Sequence, residues 1–394
     1  MAGLYVHIPF CASRCIYCGF YSTTGLSLQK EYVHAVLREL DGRLAKNDRT
    51  FPCSVKWDGV GFSGKEKFTT VYFGGGTPST LGTHLLDQLV RGIQERVDTS
   101  CVVEWTMECN PDDVTEELAA WIGRSPINRV SMGAQTFSDA RLRRLCRRHS
   151  SSQVVEAVAG LRRNGIRNIS IDLMFGFPSE TLAGWDKDID KTLALRPEHI
   201  SAYSLMYEEG TPLYSMLEQG KVAEIDEELS WKMYDTLVTR LTDAGYVHYE
   251  ISNFCQPSFR SRHNSSYWHQ VPYLGLGASA HSYSGSRRWW NVCDVKEYIR
   301  LTRDGIPVED GIGGGFEYID DTTRYNDIIT TSMRTKEGVP LRMLPSSYRN
   351  YLLEQSEKHR INGTLTMEGG TLRLTKSGIY VSDDIMSDLI FVAD

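Results

Sequence analysis

The sequence has no long apolar run, no export signal and no excess of positive charge. It contains no stretch of about 18 apolar residues, so no transmembrane helix is predicted. The first ten residues lack a basic segment followed by an apolar core, which predicts that there is no signal peptide. Lys and Arg number 43 against 50 Asp and Glu, which gives a net charge of −7. This balance disfavours a protein whose whole surface binds nucleic acid, although it leaves a local basic patch open.

Low-complexity segments, internal repeats and heptad patterns are also absent, and the overall composition is that of a folded protein. Hydrophobic residues make up 41% and charged residues 24% of the 394 residues. A chain of this length suits one large domain and a smaller one.

Nine cysteines are present, and their placement is informative. An odd number without an export signal does not indicate a disulfide framework, so we expect a reducing compartment, the cytoplasm. Cys11, Cys15 and Cys18 fall within eight residues, while six others are scattered: Cys53, Cys101, Cys109, Cys146, Cys255 and Cys293. Three thiolates suit a [4Fe–4S] cluster with one iron left open, or a zinc site completed by a fourth ligand such as His7. The spacing alone leaves both interpretations open.

Strand-like and helix-like segments alternate along the first half of the chain. Strands are predicted at 4–8, 70–73, 102–107, 129–132, 168–173 and 199–205, and helices at 30–44, 85–97, 116–122, 154–164 and 182–193. This alternation predicts at least five βαβ units by about residue 205, with another near 246–251. The predicted class is α/β, a full or partial (β/α) barrel. In such barrels the chemistry lies on the loops that follow the strands.

The end of the chain has a different pattern. A glycine-rich break at 311–315 precedes helices predicted at 325–333, 347–357 and 376–389, with a hairpin at 364–374. We therefore predict a barrel core over 1–300 and a small α+β module, helix plus β-wing, over 301–394. The polar stretch at 47–66 is predicted to be an exposed, neutral insertion.

Polar motifs occupy the predicted strand ends. Gly74-Gly75-Gly76-Thr77-Pro78 follows the second strand, and glycines there let the backbone approach a ligand closely. Glu108, Gln135 and Asp172 follow the next three strands. From the residues alone they are either ligand-binding groups or ordinary loop side chains.

Two further motifs are explained most simply as structural or surface features. Five arginines at 141, 143, 144, 147 and 148 are typical of a solvated helix face, and the run is too short and lacks the interleaved aromatics of a nucleic-acid patch. His263-Asn264-x2-Tyr267-Trp268 sets a histidine beside aromatics, which is more often structural than ligating.

Taken in order, these motifs resemble the radical S-adenosylmethionine (SAM) superfamily. The resemblance is to the branch shared by oxygen-independent coproporphyrinogen III oxidases and HemW-type heme chaperones. The matching blocks are Tyr5–Phe20 with its three cysteines, Gly74–Ser79, Met107–Pro111, Ser131–Phe137, Asp172–Pro178, His263–Trp268, Gly275–His281 and Met333–Val339.

The resemblance implies cofactors and their ligands. It implies a [4Fe–4S] cluster on Cys11, Cys15 and Cys18, SAM on the open iron, and a reductant for the cluster. The cofactor-binding residues that it implies are Tyr5, Tyr17, Gly75, Gly76, Thr77, Glu108, Gln135, Arg147 and Asp172, with His263 as the heme ligand and His281 as a weaker candidate.

Departures from the oxidase pattern favour a heme chaperone that delivers heme to acceptor hemoproteins. Phe20 stands where the oxidases have a fourth cysteine, only ten residues precede Cys11, and the His263 motif is typical of the chaperones. The alternative is a SAM-dependent coproporphyrinogen III oxidase, which converts propionates to vinyl groups, so whether the chain is an enzyme stays open. A radical SAM RNA-modifying enzyme is disfavoured. We expect no nucleic-acid partner and leave peripheral membrane contact open.

Overall fold

A computed structural model describes residues 2–45, 67–305 and 311–392. Twelve strands form one sheet in the order β12-β11-β10-β9-β1-β2-β3-β4-β5-β6-β8-β7. They are β1 (Ala2–Ile8), β2 (Phe68–Gly75), β3 (Glu104–Cys109), β4 (Arg129–Gln135), β5 (Asn168–Phe175), β6 (His199–Ser204), β7 (Val247–Glu250), β8 (Asn253–Cys255), β9 (Tyr273–Leu276), β10 (His281–Tyr283), β11 (Arg287–Trp290) and β12 (Gly315–Tyr318). The insertion predicted at 47–66 lies outside the described residues.

Helices connect these strands and cover the sheet. They are α1 (Gln29–Ala45), α2 (Gly82–Arg96), α3 (Glu116–Arg124), α4 (Asp139–Arg144), α5 (Ser151–Arg163), α6 (Leu182–Leu195), α7 (Pro212–Glu218), α8 (Glu227–Asp243), α9 (Arg262–Trp268) and α10 (Val295–Arg303). Strands β1 to β6 pair in parallel with their sequence neighbours, which confirms the predicted α/β class. Among the described helices, none is long and apolar enough to span a bilayer.

The strand predicted near 246–251 is present as β7, but it does not pair directly with β6, because β8 lies between the two. Strand β7 forms an antiparallel hairpin with β8, and β8 pairs antiparallel with β6. Only two residues separate β7 from β8, and a parallel crossover needs a dozen or more. This hairpin therefore ends one edge of the sheet.

The opposite edge was not predicted. Strand β9 pairs in parallel with β1, and β10, β11 and β12 continue the sheet as antiparallel strands. The two outer strands of the sheet, β7 and β12, are not neighbours, so the barrel is partial and open.

The two faces of the parallel strands differ in polarity. Leu4, Val6 and Ile8 of β1 are fully buried in the apolar core beneath the helices. The alternate residues point to the inner face, where Tyr5 and His7 lie. On the other parallel strands this inner face carries the polar residues Thr70, Tyr72, Thr106, Glu108, Arg129, Ser131, Ser170 and Asp172. The inner face is therefore where a polar ligand can bind.

The last part of the chain has a core of its own. Its elements are α11 (Asp321–Ser332), β13 (Val339–Pro340), α12 (Ser346–Gln355), α13 (Glu357–Ile361), β14 (Leu365–Glu368), β15 (Thr371–Leu374), α14 (Lys376–Ile379) and α15 (Ser382–Leu389). Its hydrophobic cluster runs from Tyr325 to Leu389, whereas β12 still belongs to the large sheet. The division at residue 300 stays a prediction, and the two cores favour a boundary between β12 and Tyr325.

A buried carboxylate joins α1 to the segment that follows β9. Glu39, 1% exposed, accepts hydrogen bonds from the Asn291 amide at 2.9 Å, the Gly277 backbone N–H at 2.9 Å and the Tyr298 hydroxyl at 2.7 Å. The Arg43 guanidinium, also buried, completes the set at 3.0 Å. Glu39 therefore fixes β9 and the chain after it against α1.

We predict that Glu39→Ala destabilises the protein by about 3–5 kcal/mol, because it breaks the buried ion pair with Arg43 and removes the acceptor for three buried donors. The exposed Glu31 on the same helix is the control, and Glu31→Ala should change the free energy of unfolding by less than about 0.5 kcal/mol. Urea unfolding followed by circular dichroism measures both. Equal effects from the two variants would contradict the structural role of Glu39.

Candidate functional site

The cysteine loop begins directly after β1 and is anchored at both ends. The Thr23 N–H donates to the Pro9 carbonyl at 2.7 Å, and the Cys11 N–H donates to the Thr23 carbonyl at 2.9 Å. In the middle of the loop, the Leu213 N–H donates to the Ile16 carbonyl at 2.9 Å. The loop is thus held over the carboxyl ends of the strands.

The three cysteines are free thiols near polar partners. Cys11 Sγ lies 3.4 Å from Thr77 Oγ1, and Arg147 Nη1 lies 3.5 Å from Cys15 Sγ. Burial raises the pKa of the Cys11 and Cys18 thiols, so both are protonated until a metal displaces the protons.

In the described ranges, no three His, Cys, Asp or Glu side chains form a ready site for a single metal ion. His7, the fourth ligand considered for zinc, has both ring nitrogens within 3.1 Å of other partners, the Tyr5 hydroxyl and the Tyr21 carbonyl. A zinc site on these cysteines is therefore not supported. An iron–sulfur cubane holds its cysteine sulfurs farther apart than a single metal ion does, because each thiolate binds a different iron of the cluster.

The glycine loop after β2 lies close against the end of β1. Gly75 has φ +111°, and a Cβ there would come within 2.5 Å of the His7 ring. A Cβ on Gly76 would come within 2.7 Å of the Pro9 carbonyl carbon. Only glycine fits these two positions. The loop can therefore pass close to the end of β1, which brings Thr77 beside Cys11.

Glu108, at the end of β3, is bound to this glycine loop. Its Oε2 accepts the Gly75 N–H at 3.1 Å, and its Oε1 accepts the Tyr72 hydroxyl at 2.7 Å. Burial, with a further contribution from Asp172, raises the pKa of Glu108 to about 7. An amino group of a ligand at this point would find a carboxylate that has no cationic partner at hydrogen-bonding distance among the described residues.

Arg147 links the end of β4 to the cysteine loop. Besides Cys15 Sγ, it donates to the Gly133 carbonyl and the Asn110 side-chain oxygen, while its buried Nε has no partner among the described residues. Gln135, with φ 62°, ends the same strand. This pair of residues places a cation and an amide next to the predicted cluster.

Asp172 and Tyr17 complete the predicted set. Asp172 on β5 accepts from the Ser131 hydroxyl at 3.1 Å and the Ser170 hydroxyl at 3.2 Å, and burial raises its pKa. Tyr17 packs with Leu145 and neighbouring apolar residues next to Cys15, and burial raises the pKa of its phenol.

The structure does not present His263 as an open ligand. The residue is fully buried in α9, with Nδ1 2.8 Å from Thr70 Oγ1 and Nε2 2.9 Å from the Tyr267 hydroxyl. Its ring stacks on Tyr72 with a centroid distance of 5.0 Å. Burial lowers its pKa to about 3, so the ring is neutral with both nitrogens engaged.

Two features of the site were missed or misjudged at the level of sequence. Arg129 is 1% exposed on the inner face, and its Nε and Nη1 have no hydrogen-bond partner among the described residues. Arg129, Ser131 and Gly133 alternate along the same strand, and this spacing could have placed Arg129 on the inner face. Arg141 is not part of a solvated face, because it pairs with Glu180 at 2.8 Å and Asp188 at 3.0 Å.

Comparison with known proteins gives concordant results at three levels. Residues 59–192 match the family model of the radical SAM superfamily, a stretch that begins after the cysteine loop. The chain is 32% identical over 347 residues to the heme chaperone HemW of Lactococcus lactis, covering 88% of this chain and 84% of that protein. It is 30% identical over 393 residues to the heme chaperone HemW of Mycobacterium tuberculosis, covering 98% and 94% respectively.

Among solved structures, the coproporphyrinogen III oxidase of Escherichia coli, a radical SAM enzyme, shares the fold with a TM-score of 0.81. That match covers 99% of this chain and 90% of the oxidase at 18% sequence identity, a level that shows the fold alone. The sequence relatives decide the family, because they cover most of both chains at 30% identity or more. The chain belongs to the HemW family of radical SAM proteins.

Proposed function

We propose that this protein is a heme chaperone, which binds heme and delivers it to acceptor hemoproteins in the cytoplasm. The observation that carries the proposal is the similarity to proteins named heme chaperone HemW from Lactococcus lactis, Bacillus subtilis and Mycobacterium tuberculosis, which spans 79–98% of this chain.

Cys11, Cys15 and Cys18 would hold a [4Fe–4S] cluster, and SAM would bind at its open iron. When reduced, such a cluster supplies the electron that cleaves SAM. The residues present fit this pair. The Gly75–Gly76 backbone leaves room where a Cβ would clash, Glu108 offers a carboxylate for the SAM amino group, and Arg147 offers a cation for its carboxylate.

Exposed apolar side chains beside the cysteine loop suit a flat hydrophobic cargo. Phe20 is 72% exposed at the end of the loop, and Met206 is 64% exposed just after β6. The two segments are in contact, because a Cβ on Gly19 would overlap the Glu208 carboxylate. Exposed apolar side chains from two contacting segments suit a cargo that has two apolar faces, as heme has.

The raised pKa of Glu108 predicts opposite effects of Glu108→Gln on stability and on SAM binding. The unfolded carboxyl loses its proton near its usual pKa of 4.5, and the folded one only near 7. The wild type therefore loses stability as the pH rises through this window, and the variant does not. The stability of Glu108→Gln relative to the wild type should rise between pH 5 and pH 8, while its affinity for SAM falls by about tenfold.

Urea unfolding of the cluster-free protein at both pH values and calorimetric SAM titration of the reconstituted protein measure the two effects. Glu156→Gln, at an exposed position, is the control and should show neither. A stability difference that does not change with pH would contradict the burial of an ionising Glu108.

The chaperone proposal predicts direct transfer of heme. The anaerobically reconstituted protein, loaded with one equivalent of hemin, is mixed with a heme-free b-type cytochrome, and the Soret band is followed. We expect a transfer rate that rises with the concentration of the acceptor. A rate independent of acceptor concentration would mean simple dissociation and would contradict the proposal.

The Cys11→Ala/Cys15→Ala/Cys18→Ala variant should still bind heme but transfer it more slowly, because the loop that carries Phe20 loses its cluster.

A further inference from the structure

The two histidines considered as heme ligands differ in access to their ring nitrogens. An axial ligand needs a free imidazole nitrogen and space for a planar ring beside it. His263 has neither, because both its nitrogens are hydrogen-bonded and the residue is 0% exposed. Ligation by His263 would require Thr70 or Tyr267 to give up its bond and α9 to move away from β2.

His281 meets both requirements. It is the first residue of β10 and is exposed, and no hydrogen bond to its ring is present among the described residues. Its imidazole stacks on the Trp290 indole, with a centroid distance of 5.7 Å and an interplanar angle of 27°. The stack follows from the sheet register, because His281 and Trp290 are directly paired across β10 and β11.

Glycines on the neighbouring strands keep this part of the sheet open. Trp290 pairs with Gly315 on β12, where a Cβ would lie 2.8 Å from the indole ring. On the other side, a Cβ on Gly275 of β9 would strike the His281 carbonyl. Because both positions are glycine, neither adds a side chain beside the stacked imidazole and indole.

The location is also suitable for the cargo. The pairing of Tyr283 with Tyr273 places His281 on the same inner face as Tyr5 and His7. His281 is close enough to His7, which precedes the cysteine loop, to contribute to lowering the pKa of His7. This surface therefore lies on the inner face of the sheet, two strands from β1, which leads into the cysteine loop.

The surroundings keep the His281 imidazole neutral, which is the form that binds iron. Packing on one side of the ring, with a smaller effect from Arg288, lowers its pKa, against an opposing effect of Glu317. Arg288 is itself held by Glu317 at 2.7 Å and Asp327 at 2.8 Å.

We propose that His281 is the axial ligand of the heme iron and that Trp290 provides the flat surface beside it. The proposal rests on the proposed function, since it names the residue with which the chaperone would hold its cargo. His263 then has a structural role, holding α9 against β2 through Thr70.

The test is hemin titration of the full chain, with the Soret band and the ferric electron paramagnetic resonance spectrum as readouts. We expect His281→Ala to weaken heme binding by about tenfold or more and to remove the spectroscopic signature of an imidazole ligand.

His281→Met should change the spectrum to that of a thioether ligand, and added imidazole should restore the wild-type spectrum to His281→Gly. Trp290→Leu should weaken binding without changing the ligand signature. His84→Ala, at an exposed histidine on α2, is the control and should leave both unchanged.

The outcomes separate the two proposals. If the wild type binds no heme, the proposed function fails. If the wild type binds heme and His281→Ala and His281→Met keep its spectrum, the assignment of His281 fails while the function stands. A variant His263→Ala that remains folded by circular dichroism and loses the imidazole signature would also overturn the assignment.

Discussion

The site depends on the close approach of the glycine loop after β2 to the end of β1. The Gly76 N–H donates to the Ile8 carbonyl at 2.8 Å, and side chains at 75 or 76 would collide with His7 or Pro9. Because the two backbones are this close, Thr77 reaches Cys11 and Glu108 reaches the Gly75 N–H. A bulkier residue in the glycine loop would separate the cysteines from the groups that flank them.

The inner face of the sheet is costly to fold, and the proposed binding of cofactors there accounts for that cost. Arg129 is buried with no hydrogen-bond partner for its Nε and Nη1 among the described residues, and burial raises the pKa of both Glu108 and Asp172. Groups of this kind stabilise a protein less than apolar residues of the same size would. Their presence at adjacent strands is typical of a site where stability is lost in favour of function.

Sequence patterns predicted β1 to β6 with small errors, because these strands alternate with helices of ordinary length and end in recognisable motifs. They did not predict β9 to β12, since these strands have only three or four residues and the connections from β9 to β10 and from β10 to β11 are equally short. The single helix predicted at 376–389 is divided into α14 and α15 around Tyr380.

Motif reasoning placed the cysteines, Glu108, Gln135 and Asp172 at strand ends, the family resemblance added Arg147, and the structure brings them to one edge of the sheet. It could not show which histidine is accessible. Tyr267, one of the aromatic neighbours that made His263 resemble a heme ligand, instead hydrogen-bonds to its Nε2, whereas the stack of His281 on Trp290 depends on a strand pairing that the sequence does not reveal.

The most direct test of the account is whether the protein transforms a porphyrin or only carries heme. The reconstituted protein would be incubated anaerobically with reductant, SAM and coproporphyrinogen III, and the products followed by mass spectrometry. The account predicts no decarboxylated product over many equivalents of substrate, together with stoichiometric binding of heme by the same preparation. Accumulation of mono- and di-decarboxylated products over multiple turnovers would contradict it and identify the chain as an oxidase.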